Sequence, residues 1–401
     1  MTAPAPGSRP VPGGLLIWVT HLYGIGHLRR AVAIAGACRD RGLAVTLVSG
    51  GRPVPDLALD GIALVQLPPL ASPDASFSRL VDEAGREADA ALLAERRRRL
   101  LAALEAAAPA VVMTEMYPFG RRSLKAEAEA LIAAALARRP RPALLASVRD
   151  LLVAKPPEKL RWMLAAAAPY DAVLVHGDPA VLTFDEGFPF AAELGGRLHY
   201  TGYVVTAAAE AARRDPAAGR DEVLVSAGGG AFGLALLETA LAARPLCPTL
   251  GSLPWRLLLG PNLPEPGRRR LLAAGGRGVT VEPARPDFPA LLGRCRLSIS
   301  QAGVNTLLES LAAGARCLVV PYAEAGETEQ AARAARFAAR GWLSVLEEAR
   351  LSPGALARAA ESAALRPPPR AAINLDGARH SAEIVARRAA IVRAAAGVEE
   401  G

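Results

Sequence analysis

Strand-length apolar runs alternate with helix-period segments along almost all of the 401-residue chain. They read "LLIWV", "AVTLVSG", "IALVQL", "AVVMTEM", "ALLASVRD" and "DAVLVHG", then "EVLVSAG", "WRLLLG", "VTVEP", "LSIS" and "RCLVVPY". A strand with one wet face alternates apolar and polar residues, so a run that is apolar throughout is covered on both sides, and the helical intervals supply the cover. The pattern predicts an α/β protein with doubly wound parallel sheets. It breaks once, at "TAAAEAARRDPAAGR" after Val205, a polar, alanine-rich stretch interrupted by Pro216 and Gly219. A single core organises about 100 to 200 residues, so two domains are expected. The divisions are a flexible leader over 1–13, a first domain over 14–205, a linker over 206–220, a second domain over 221–375 and a last helix over 376–401. That helix either docks back on the first domain or completes the second.

Composition narrows the partners. With 51% hydrophobic and 21% charged residues the chain is globular, and a formal net charge of +8 suits anionic partners such as nucleotide phosphates or acidic lipid. The run from Arg96 to Arg99 shares its helix with acids and has no interleaved aromatics. It reads as a solvated helix face, and no nucleic-acid partner is expected. Cys38, Cys247, Cys295 and Cys317 are far apart and form no C-x-x-C pair, which argues for reduced core thiols and no zinc site. "LLIWV" is too short for a signal-peptide core or a membrane span. A cytoplasmic protein is expected, with peripheral contact at the inner face of the membrane left open.

In such sheets ligands meet the carboxyl ends of the strands. The first loop there, "THLYGIGHLRR", places Gly24 and Gly26 before a helix carrying His27, Arg29 and Arg30. Arg29 stands where a dinucleotide fingerprint has its third glycine, and the next strand ends without an acid for a ribose, so no dinucleotide cofactor is expected. What remains is an anion seat or a plain tight turn. The second loop carries Gly228, Gly229 and Gly230, with no Lys-Ser/Thr pair behind them. That is no Walker loop; it suits a diphosphate held by backbone amides, or a close-packed turn. The third, "SQAGVNT", leads into a helix with Glu309 near its start. There a carboxylate either complements the helix dipole or accepts hydrogen bonds from two ribose hydroxyls.

The segment "ISQAGVNTLLESLAAGARCLVVPYAEAGETEQAARAARFAARG" is similar to the C-terminal donor-binding domain of the MurG-like glycosyltransferases of family 28. "HLYGIGHLRRAVAIA" resembles their N-terminal glycine loop, and "YPFGRR", "SVRD", "VHGDP", "TGYVV" and "VSAGGG" resemble the bacterial group of predicted glycosyltransferases. The resemblance implies a GT-B fold, two Rossmann-like domains facing across a cleft, with the nucleotide-sugar held mainly by the second. It implies that Glu309 holds the ribose, that Gly303 and Thr306 shape the turn beside the diphosphate, and that the backbone of Arg285 and the side chain of Phe288 meet the base. Glu329 and Gln330 match a pair of glutamines that contact the donor sugar; Glu329 departs from that pattern, which puts N-acetylglucosamine in doubt.

The expected reaction is inverting transfer of a hexose or N-acetylhexosamine from a nucleotide-diphosphate sugar, with UDP the expected nucleotide, to an acceptor hydroxyl. The chain has no Asp-x-Asp clamp, so neither metal nor cofactor is expected. His27 is the first choice of base, His21 the second and Asp150 a further candidate, with Arg149 an anion contact or merely the partner of its neighbour. The acceptor could be lipid, glycan or small molecule. A non-hydrolysing UDP-sugar epimerase and a non-catalytic nucleotide-sugar-binding protein are the alternatives.

Overall fold

A computed structural model describes residues 13–22, 24–55, 57–73, 79–205, 217–227, 233–261, 263–323 and 329–397. The expected leader and most of the expected linker lie outside them. The chain forms two compact units: the first takes the residues up to Pro179, Thr183–Val204 and the segment from Asp376, and the second takes Ala180–Leu182 and Val205–Leu375.

In the first unit the chain runs β1 (Leu15–Val19), α1 (Gly26–Arg39), β2 (Val45–Ser49), β3 (Ile62–Gln66), α2 (Ala90–Ala107), β4 (Val111–Glu115), α3 (Lys125–Ala137), β5 (Ala143–Arg149), α4 (Pro157–Ala166), β6 (Ala172–His176) and β7 (Leu198–Tyr200). The seven strands pair in parallel in the order β3-β2-β1-β4-β5-β6-β7. Chain order reverses between β1 and β4, so the loops after these two strands lie side by side at the switch point. β1, β4 and β6 are buried along their whole length, as continuous apolar runs require, while the edge strand β3 exposes Leu64.

The second unit runs β8 (Val223–Ser226), α5 (Leu234–Ala243), β9 (Trp255–Leu259), α6 (Glu265–Ala273), β10 (Val279–Pro283), α7 (Phe288–Leu292), β11 (Leu297–Ser300), α8 (Val304–Ala312), β12 (Cys317–Val319), α9 (Glu329–Ala339), β13 (Ser344–Val345) and α10 (Pro353–Leu365). Its six parallel strands follow the order β10-β9-β8-β11-β12-β13, with the switch between β8 and β11. The short edge strands β7 and β13 carry no apolar run and are not evident in the sequence pattern.

The last helix, α11 (Gly377–Ala395), belongs to the first unit, where Ala382, Val385, Ala389 and Val392 form one apolar face that joins Leu28, Ala31, Ile34 and Cys38 of α1 in a common core. Val204 and Asp376 form a β-bridge, and the Gly377 amide donates to the Tyr203 carbonyl at 3.0 Å. A Cβ on Gly377 would collide with the backbone of Gly202 and Tyr203, so this junction admits only glycine.

The arginine run departs from the expected solvated face at its first member. Arg96 is 0% exposed. Its guanidinium donates to both oxygens of Glu127 at 2.8 and 2.9 Å, to the Gly50 carbonyl at 2.8 Å and to the Pro68 carbonyl. The Trp18 indole donates to the same carboxylate at 2.8 Å. Arg98 and Arg99 instead pair with Glu95 on the exposed side of α2.

Candidate active site

β4 begins with the apolar run Val111–Met113 and closes on Thr114 and Glu115, and Glu115 sits 2% exposed beside the β1–α1 loop. His27, in the first turn of α1, places Nδ1 at 2.9 Å from Glu115 Oε1. Arg30, one turn further on, pairs with the same oxygen and lies 3.1 Å from Nδ1. A guanidinium only donates and a carboxylate only accepts, so Nδ1 faces one of each, and the tautomer that serves the closer contact puts the proton on Nδ1 and donates it to Glu115. Nε2 is then left with its lone pair. This is the geometry of a neutral base oriented by a buried acid.

The surroundings set the charges. Burial alone would raise Glu115, but the Arg30 charge and the His27 hydrogen bond outweigh it and hold the carboxyl well below the usual range. Burial, then the Arg121 charge, pushes His27 down to about 3 against the opposing pull of Glu115. Burial also lowers Arg121 to about 10, with Arg149 and Arg30 adding like-charge repulsion and Glu115 opposing. Arg121 follows the β4 end in a left-handed conformation, with φ of 60°, and Arg149 is the last residue of β5, the next strand across. Lys155 is lowered too, by burial and then by Arg149, Lys159 and Arg122. The strand ends therefore carry more cations than carboxylates, with Arg30, Arg121, Arg149 and Lys155 against Glu115 and Asp150.

The other base candidates are placed differently. Asp150 is 0% exposed, with one oxygen accepting the Leu151 amide at 2.8 Å and the other the Tyr203 hydroxyl at 3.0 Å. One oxygen thus braces its own turn and the other the Tyr203 side chain, so Asp150 is engaged within the protein. His21 is buried, lowered to about 4 chiefly by that burial, and walled by Gly51, where a Cβ would strike its ring. Arg29 is exposed on α1, and its neighbour Arg30 makes the ion pair. Around Gly24 no atom lies within Cβ contact distance, so the loop has open space at that point. Glu115 and His176 were missed from sequence; each is a titratable residue ending a strand that starts as an apolar run, and that was the available signal.

In the second unit Gly228, Gly229 and Gly230 lie outside the described residues. Gly233, which follows, has no room for a Cβ beside Ala227. Across the switch point β11 ends at Ser300, and Gly303 caps α8 with open space beside it. Thr306 closes the first turn, and Glu309 comes one turn later, 9% exposed. The dipole explanation for Glu309 fails on that placement, because the effect fades beyond the first turn. The Arg285 guanidinium is spent on Asp287, at 2.8 and 2.7 Å, which leaves its backbone as the part able to meet a ligand. Phe288 opens α7 half-buried.

Glu329 and Gln330 are engaged within the protein. Arg333, 1% exposed, donates to Glu329 at 2.9 Å, and Gln330 Oε1 accepts the Tyr322 amide at 3.2 Å. Both side chains thus brace α9 and the segment after β12. Among the described residues no group of three or more His, Cys, Asp or Glu is arranged to hold a metal ion, and no helix is long and apolar enough to cross a membrane.

All five histidines of the chain belong to the first unit. His21, His27 and His176 are held down to about 4, 3 and 3, in each case chiefly by burial. Unfolding returns each to an ordinary imidazole, so the unfolded state binds more protons below about pH 6.5. Their contribution to stability is whole above that pH and is lost as pH falls, His21 ceasing to add to the loss near pH 4 and the other two about a unit lower. Calorimetry across this range is expected to show the first unit's transition falling steeply, with the second unit's changing less. Parallel shifts of the two transitions would contradict the burial of these rings.

Residues 228–382 match the profile of the glycosyltransferase family 28 C-terminal domain. Among curated relatives, a UDP-N-acetylglucosamine--N-acetylmuramyl-(pentapeptide) pyrophosphoryl-undecaprenol N-acetylglucosamine transferase of Agrobacterium fabrum is 34% identical over 28% of this chain and 30% of its own length. The match to such relatives spans about a third of their length. Among solved structures, Acinetobacter baumannii MurG aligns over 93% of this chain and 99% of its own at 16% identity and a TM-score of 0.57. The calicheamicin glycosyltransferase covers 96% of each chain at 16% identity with the same score. A Listeria monocytogenes protein provisionally described as a UDP-N-acetylglucosamine 2-epimerase covers 97% and 98% at 12% identity and 0.61. At these identities the structures share the fold: two parallel-sheet α/β domains of the GT-B type.

Proposed function

We propose, from the match of residues 228–382 to the glycosyltransferase family 28 C-terminal domain, that the chain moves a hexose or N-acetylhexosamine from a nucleotide-diphosphate sugar, with UDP as the nucleotide, to an acceptor hydroxyl. The observation that carries the reading is the His27–Glu115 pair at the β1/β4 switch point, 2.9 Å apart. The acceptor oxygen attacks the anomeric carbon as its proton passes to His27 Nε2, the bond to the diphosphate breaks, and UDP leaves with the electron pair. One displacement inverts the centre. No metal enters this proposal; the leaving charge is assigned to arginines and to backbone amides at the strand ends.

The cations around His27 favour an acceptor with an anionic group near its reacting hydroxyl. An imidazole held at about 3 is a weak base at neutral pH, and an anion beside Arg121 and Arg149 would raise it toward the working range. The curated relatives' name specifies a pyrophosphoryl-undecaprenol acceptor; for this chain we carry over only the negative charge. UDP release from a panel of UDP-sugars, each with phosphorylated and neutral acceptors, tests the reading. Conversion of the sugar with no acceptor present would favour epimerisation, and donor binding without release under any condition would leave a nucleotide-sugar-binding protein.

Glu309 is the ribose ligand in this reading. Glu309→Ala is expected to weaken UDP binding about tenfold or more, since hydrogen bonds to a charged group contribute roughly 1.5 to 3 kcal/mol. Titration calorimetry with UDP checks it, and unchanged affinity removes the ribose role.

A further inference from the structure

Behind Glu115 lies a line of polar side chains that crosses three neighbouring strands. Ser147 of β5, paired in register with Glu115, has its hydroxyl against Glu115 Oε2. The same hydroxyl oxygen lies 2.8 Å from Nε2 of His176, the last residue of β6. His176 Nδ1 lies 2.9 Å from the Thr201 hydroxyl, just beyond β7. These groups are buried, from 0% exposed at Thr201 to 3% at His176. The Thr201 carbonyl meets Nδ1 of His380, on α11, at 2.8 Å.

Proton inventory fixes the direction of this line. Ionised Glu115 can only accept, so the single Ser147 proton goes to it. Ser147 can then only accept from His176, which puts the His176 proton on Nε2 and leaves Nδ1 bare. Nδ1 in turn takes the one proton of Thr201, although the Val175 and Gly202 carbonyls stand 3.3 and 3.0 Å from that hydroxyl. Reversing the line would set the Ser147 oxygen against a carboxylate with no proton between them, unless Glu115 itself were protonated. Arg30, paired with Glu115, opposes that state. At its far end His380 can only donate to the Thr201 carbonyl, with Nε2 facing the Arg379 guanidinium at 3.0 Å.

We propose that His176 and Ser147 are positioning residues for His27: with Thr201 they form a one-directional hydrogen-bond chain ending on Glu115, which keeps that carboxylate an acceptor and so fixes the His27 proton on Nδ1 and its lone pair on Nε2. Bonds aligned in one direction polarise one another, so the chain acts on Glu115 as a unit. The proposal rests on the transferase reading only for the use made of His27. It concerns protonation in the resting protein and can fail or stand independently of that reading.

The test is imidazole ¹⁵N NMR on the full chain, with signals assigned by single histidine replacements. In the parent protein His27 is expected with its proton on Nδ1, His176 with its proton on Nε2 and His380 with its proton on Nδ1. Ser147→Ala and His176→Leu are expected to bring His27 into a mixture of tautomers, while Ser147→Thr and His176→Gln, which keep a hydroxyl and an N–H, restore the single form. Turnover in the UDP-release assay is expected to fall roughly tenfold or more in the cut variants with KM for the donor unchanged, the usual scale for an outer-sphere partner. The acid limb of the turnover profile is expected to move to higher pH, because Glu115 without the Ser147 proton binds protons more readily. The other charges around the line, Arg30 and Arg121 facing Glu115, Arg149 facing Arg121 and Asp150 facing His176, remain in place. A His27 proton on Nε2, accepting from Arg30 instead, or a His176 proton on Nδ1, would overturn the proposal in the parent protein alone. An unaltered His27 spectrum and pH profile in a folded Ser147→Ala protein would overturn it as well. If the cut variants do not fold, the parent tautomers and the Ser147→Thr protein still decide it.

Discussion

Glu115→Gln is expected to lower turnover of the UDP-sugar by about 10² to 10⁴ with UDP affinity nearly intact. The replacement keeps the shape of the side chain and removes its charge. An amide can present an N–H to His27 Nδ1, which then holds a lone pair, while the proton moves to Nε2 and the nitrogen that should take the acceptor proton becomes a donor. Wrong-tautomer substitutions in histidine-based sites cost up to about 10⁴, and loss of general base catalysis alone costs about 10² to 10⁴. UDP affinity is spared because the proposed nucleotide ligands, Glu309 foremost, lie in the other unit. His27→Ala should match Glu115→Gln in turnover, and the double replacement should be little worse than either, since the two act as one device. Near-parental turnover in either single variant would hand the base role to another residue. Arg30, nine-tenths buried, would lose its counter-charge, so the variant's stability needs recording beside its rate.

The second large effect is on stability. Arg96→Ala is expected to destabilise the first unit by about 3 to 5 kcal/mol, the usual cost of removing one member of a buried pair. The reason is what remains: Glu127 6% exposed, its one remaining hydrogen bond among the described residues coming from the Trp18 indole, while the Gly50 carbonyl keeps only the Leu70 amide at 3.0 Å. Glu127→Ala should cost about as much, because it strands a guanidinium with no solvent. Replacing both together, Arg96→Met with Glu127→Leu, should recover most of the loss, because the penalty belongs to the unpaired charge and not to the absence of the pair. Denaturant unfolding with a probe in each unit checks this. Equal losses in the single and double variants would mean that the hydrogen bonds to Gly50 and Pro68, and not the charge balance, carry the effect.

Arg96 shows how far the sequence could be read. It looked solvated because Arg97, Arg98 and Arg99 follow it, yet Leu100, Ala103 and Leu104, at four, seven and eight residues beyond it, mark the buried face of α2 on which it lies. Helical spacing thus carried information that the charge run obscured. The sheets were legible because continuous apolar runs of strand length, alternating with helix-period segments, fit strands covered on both sides, and the short edges β7 and β13 escaped because they lack that signature. Strand order was not legible, since periodicity says nothing about neighbours. Without it the acids and histidines closing separate strands could not be seen to adjoin. Glu309 was legible from its place after "SQAGVNT", but its place in the second turn of α8, which removed the dipole explanation, required the helix start.

The Val204–Asp376 bridge and the seat of α11 on α1 also bear on synthesis. A ribosome delivers the strands of the first unit early, and domains generally fold as they emerge. The apolar face of α1, with Leu28, Ala31, Ile34 and Cys38, must nevertheless wait for Ala382, Val385, Ala389 and Val392 before it is fully covered. Apart from Ala180–Leu182, the second unit is continuous from Val205 and has all of its sequence by Leu375. The unit translated first is therefore the one completed last, and its α1 face stays partly uncovered until the last helix has been made.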